Sequence, residues 1–144
     1  MVLINQVKRL LDTQEKRVSA IITLVISVII VTPLCGFIFQ CGCDWPWAGL
    51  DSLCNFYKLD AEHKCPWCAS MTTGILSIGG AIIAGLWATT ISLPVYTERK
   101  IIKVITLRII FGTIVFVLLA SFIAGLAAFY QGYPLGIGSK LDIN

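Results

Sequence analysis

The chain has 144 residues, of which 57% are hydrophobic and only 13% charged, with a net charge of +3. Soluble domains average roughly 45–50% and about 25%, and a chain this short keeps too much surface exposed to hide the excess. An ordinary soluble domain is therefore excluded. So is a nucleic-acid surface, because no basic stripe interleaved with aromatics is present.

In chain order, residues 1–17 form a short amphipathic lead. Leu3, Val7, Leu10 and Leu11 recur at helical spacing, with Lys8, Arg9 and Asp12 elsewhere on the turn. Residues 18–39 are a run of 22 without a charge. At about 1.5 Å per residue they match a hydrocarbon core of about 30 Å. The run and its polar lead are too long for a cleaved signal peptide, and Leu34 argues against lipid modification at Cys35. Pro33 is expected to kink the helix or begin its end.

Residues 40–68 are polar. With the adjoining Ala69 and Ser70 they hold five of the six cysteines, the sole histidine and three of the four tryptophans. Residues 69–93 form a second apolar span rich in small residues, closed by Pro94. Gly80/Ala84 and Ala81/Gly85 stand four apart, a spacing that lets helix backbones approach closely in lipid. Residues 94–106 are a short basic connection, and 107–130 a third span. The third span repeats the small-residue spacing at Ala120/Ala124 and Ser121/Gly125. Residues 131–144 read as an irregular tail. The helix-packing residues expected from this pattern are Gly80, Ala84, Gly85, Ser121 and Gly125. Ser77, Thr89, Thr90 and Ser92 are expected to bond their own helix backbones.

The fold class is thus all-α and integral to the membrane: three transmembrane helices with a Cys/Trp-rich loop between the first and second. Eight of the eleven Lys and Arg residues lie in the lead, in the second connection or, as Arg108, at the mouth of the third span. By the positive-inside rule the amino terminus is cytoplasmic, while the cysteine-rich loop and the carboxy terminus are extracytoplasmic. Charge falls outside the spans, which argues against an ion pump or proton channel.

The cysteines support three chemistries. Cys35, Cys41, Cys43, Cys54, Cys65 and Cys68 are candidates for disulfides, which tie down small outer segments at about 2–4 kcal/mol each. Cys41, Cys43, His63, Cys65 and Cys68 offer soft ligands for Zn or Cu. Cys65-Pro66-Trp67-Cys68 is a candidate catalytic dithiol. A helix beginning there, with Lys64 and His63 beside it, is expected to lower the Cys65 thiol pKa. Cys65 is then the attacking thiol and Cys68 the resolving one. Trp45, Trp47, Tyr57 and Trp67 read as an interfacial belt.

The placement of this CPWC pair at the outer mouth of a helix resembles the quinone-linked disulfide-forming membrane proteins and the vitamin K epoxide reductase-like family. The resemblance covers four residues and a topology. It implies a second cysteine pair on an outer loop, here Cys41 and Cys43 or Cys35 and Cys54, and a quinone as electron acceptor. Those bundles have at least four spans, and this chain has three.

The leading expectation is a small non-catalytic accessory subunit of a larger membrane complex, with no cofactor. Its stapled outer segment would pack on partner subunits, and its other partner is the bilayer. The alternatives are a thiol–disulfide oxidoreductase using quinone and a Zn or Cu site.

Overall fold

The structure, a computed structural model, describes residues 14–42, 59, 64–91 and 101–133. The described residues form helices α1 (Gln14–Phe39), α2 (Pro66–Ala69), α3 (Met71–Thr90) and α4 (Ile101–Gln131). Three of them, α1, α3 and α4, are long and apolar enough to cross a membrane. Each of the three packs on the other two, and the largest interface joins α3 to α4. Their outward faces are greasy: Phe37, Ile83, Trp87, Phe122 and Phe129 are all exposed. Lipid is the solvent that such faces fit.

The buried face of α4 repeats every four residues: Arg108, Gly112, Phe116, Ala120, Ala124 and Ala128. On α1 it is Ser19, Thr23, Ser27, then Cys35 and Phe39. Small residues set the closest approach. A Cβ at Gly85 would lie 2.9 Å from the Gly112 carbonyl oxygen, and a Cβ at Gly112 would lie 2.8 Å from that of Gly85. Both backbones therefore need glycine at this crossing. Of the residues expected to pack helices, Gly85 does so at this crossing. Ala84 and Ser121 are half-buried, Gly80 is exposed, and a Cβ at Gly80 or Gly125 would meet nothing. The inward pairs are Ala81/Gly85 and Ala120/Ala124.

Boundaries differ from the sequence pattern at three places. α1 begins at Gln14, ahead of the uncharged run, and continues through Pro33 to Phe39. The second span does not begin at Ala69. Ser70 is extended and divides the turn Pro66–Ala69 from α3, and its hydroxyl accepts from the Thr73 N–H at 3.5 Å. The third long helix begins at Ile101, ahead of residue 107, so Lys103 joins Arg108 on it. At about 46 Å, α4 overshoots a hydrocarbon core of about 30 Å, whereas α3 at about 30 Å matches it.

Arg108 is consequently buried at the end of α3. Its guanidinium donates to the carbonyl oxygens of Thr89 at 2.6 Å and Ile91 at 3.1 Å. These belong to the terminal carbonyls that a helix cannot satisfy itself, where a cation also meets the negative end of the helix dipole. The charge thus serves as a helix cap. Around it, Thr89 and Thr90 bond back to the Leu86 and Trp87 carbonyls, and Ser77 to that of Thr73, as the sequence suggested.

Candidate functional site

The opposite end of the bundle carries the cysteines. α1 ends at Phe39, and Gln40 follows at φ 47°, in the left-handed region. Glycine is the usual residue there, and a side chain costs about 1–2 kcal/mol. This turn folds the chain back, so that Cys41 lies against the last turn of α1 and its thiol donates to the Cys35 carbonyl at 3.9 Å. Cys65 arrives from the other side as the residue before the α2 turn, with Pro66 at the first helical position.

Three sulphurs meet as a result. Cys35 Sγ lies 3.5 Å from Cys41 Sγ and 3.5 Å from Cys65 Sγ, and all three lie within 4.8 Å of one another. Their residues are 5%, 2% and 0% exposed. The four described cysteines are not joined as disulfides. Cys68 is half-buried, one turn beyond Cys65, and its N–H donates to the Cys65 carbonyl at 2.9 Å.

Three aromatic residues share the buried cluster with the trio. Phe39 takes Trp67 edge-on with centroids 5.3 Å apart and Tyr133 edge-on at 5.6 Å. The Tyr133 hydroxyl donates to the Phe39 carbonyl at 2.9 Å, tying the end of α4 to the end of α1. Gly74 lets α3 pass under the Trp67 carbonyl, where any Cβ would collide with it. Trp67 is therefore buried, unlike a residue of an interfacial belt, because the short α2 turn folds its ring inward onto Phe39.

Two expectations about Cys65 change. Contact with Cys35 acts to lower its pKa, but contacts with Cys41 and Cys68, together with burial, outweigh it and push the thiol well above its ordinary range. The α2 turn of four residues is too short to supply a helix dipole. Cys65 is also the inaccessible member of its pair, so of the two only Cys68 can meet an outside reagent. Cys43, Cys54, His63, Trp45, Trp47 and Tyr57 lie outside the described residues.

Cys35 is the ligand-type residue that spacing in the loop does not reveal. It belongs to α1, and its signal was the four-residue row shared with Ser19, Thr23, Ser27 and Phe39. The same row holds a polar stripe inside the bundle, in which the Thr23 and Ser27 hydroxyls are buried and without a hydrogen-bond partner.

Three thiols held this closely have two chemical uses. They can ligate a soft ion, since metal–sulphur bonds of about 2.3 Å place ligand sulphurs roughly 3.8–4.0 Å apart. They can also exchange a disulfide, with Cys35 reaching either neighbour. Comparison of the chain with protein-family models, curated proteins and solved structures finds no match.

Proposed function

We propose that this chain is a small membrane protein that binds one thiophilic closed-shell ion, Cu(I) or Zn(II), at Cys35, Cys41 and Cys65. The observation that carries this reading is the convergence of three buried sulphurs from three separate points of the chain, within 4.8 Å of one another. Burying three thiols around one point has no packing advantage over alanine or valine. A shared ion explains their proximity, because thiolate ligands select soft metals. Of the ligand set read from the sequence, Cys41 and Cys65 belong to this trio with Cys35, while Cys43 and His63 lie outside the described residues.

The charge distribution supports an orientation with this end outside and the Arg108 end cytoplasmic. The wider role we propose is that of a non-catalytic subunit in a membrane assembly. The faces bearing Gly80 and Gly125 are open to a partner helix, since a Cβ at either would meet no neighbour within the chain.

The test is metal analysis of the purified protein in mild detergent, after reduction and exposure to Cu(I) or Zn(II) in separate arms. One ion per chain is expected in one arm, and it should be lost in Cys35→Ser, Cys41→Ser and Cys65→Ser alike. Co(II) substitution should give sulphur-to-metal charge-transfer bands if the site prefers Zn(II). A reduced protein that binds neither ion, with an oxidised form carrying a disulfide within the trio, would return the site to thiol–disulfide exchange.

A further inference from the structure

We infer that Cys68 is the transfer thiol of this centre, the group through which a soft ion passes between the outside and the buried trio; the inference rests on the metal-binding reading above. Four sulphurs cluster here, but they are not equivalent. Cys35, Cys41 and Cys65 are all but sealed, and Cys65 is 0% exposed. Cys68 is half-buried, and it does not belong to the set whose sulphurs all lie within 4.8 Å. It nevertheless sits one helical turn from Cys65, the most deeply buried of the three. The α2 turn fixes that relation, because the Cys68 N–H is bonded to the Cys65 carbonyl at 2.9 Å.

A sealed site needs a path for its ion. Phe39, Trp67 and Tyr133 share the buried cluster with the trio and bring no further thiol to it. The described cysteine that combines partial exposure with a place beside the trio is Cys68, bound through its backbone to Cys65. Thiophilic ions move between thiolates by associative exchange, in which a new metal–sulphur bond forms before an old one breaks. Inward transfer then proceeds in two balanced steps. An ion arriving as a complex with a small carrier thiolate bonds to Cys68, whose proton leaves to solvent as the carrier departs. Cys65 then gives up its proton and bonds the ion, and Cys68 takes up a proton as its own bond breaks. No electron moves and the metal keeps its oxidation state. Cys35 and Cys41 complete the coordination as they lose their protons, so loading releases protons overall.

The experiment measures rates as well as stoichiometry. Reduced full-length protein in detergent is mixed with the Cu(I)–bicinchoninate complex in one arm and with Zn(II) plus a chromophoric chelator in the other, and loading is followed by stopped-flow absorbance. Excess competing chelator then measures release. Cys68→Ser should keep the bound equivalent and its affinity within about threefold of wild type, while loading and release both slow at least tenfold. Selective methylthiolation of Cys68 in the loaded wild-type protein should slow release to a similar extent, and needs no mutant to fold. Unchanged rates in both experiments would overturn the inference. So would loss of the bound equivalent in Cys68→Ser, which would make Cys68 a permanent ligand. If the wild-type protein binds neither ion, it is the underlying metal reading that fails.

Discussion

The two ends of the bundle bury polar groups by opposite means. At one end Arg108 is sunk beside α3, and its NH1 donors meet the Thr89 and Ile91 carbonyls. Its charge answers a need that any helix end has. At the other end the Cys35 thiol meets those of Cys41 and Cys65, and the Cys41 thiol also reaches the Cys35 carbonyl. No helix terminus needs them, and hydrophobic residues would fill the space as well. The lesson is that burial alone does not mark function. What separates the two ends is whether the surrounding backbone accounts for the buried group.

That contrast can be broken at either end, and glycine replacement should do it most strongly. Gly74→Ala drives a Cβ into the Trp67 carbonyl, and Gly112→Ala drives one into Thr89 and the Gly85 carbonyl. Overpacking against backbone costs about 1–3 kcal/mol. Both variants should lower the thermal midpoint in detergent by similar amounts. Only Gly74→Ala should also lower metal affinity, because it displaces the turn that carries Cys65. Equal loss of affinity in both would show that the two ends are not separable.

Arg108→Met should cost about 1–3 kcal/mol, through two carbonyls left without their charged donor. Amide exchange should quicken at the end of α3, with bound metal unchanged. Full stability in this variant would remove the capping role.

A third test uses pH on the metal-free protein. The Cys65 thiol is pushed upward in the folded state, so its contribution to stability is complete below the unfolded thiol value of about 8.5. It is lost progressively as pH rises above that value, because the unfolded chain ionises while the folded one keeps its proton. The thermal midpoint should therefore fall between about pH 8 and about pH 10, and Cys65→Ala should flatten the fall.

The smallest effect is expected from Tyr133→Phe. It removes one hydrogen bond to the Phe39 carbonyl, worth about 1 kcal/mol. The ring contact stays, so metal binding should persist with a modestly faster release rate.

Much of the fold was legible in the sequence. Three helices follow from uncharged runs whose length matches the bilayer, and the small-xxx-small pairs marked where backbones approach. Which members of those pairs face inward was not legible. Gly80 and Gly85 have the same composition and similar surroundings in sequence, yet only Gly85 meets another helix. The spans also looked free of charge, because a charged residue near a helix end reads as connection. Only the packed structure shows Arg108 meeting the carbonyls at the end of α3.

The cysteine end divides in the same way. By itself the sequence determined that the thiols gather at one end of a membrane bundle, since hydropathy and charge place every cysteine at or beyond the ends of the first two spans. It also singled out the CPWC pair. Only the tertiary structure decided that Cys65 is sealed while Cys68 is half-exposed, and that Cys35 joins Cys41 and Cys65. The physical reason is that these sulphurs are neighbours through a left-handed turn at Gln40, a four-residue turn at Pro66 and the packing of Phe39 on Trp67. None of those relations is written in the spacing of the cysteines.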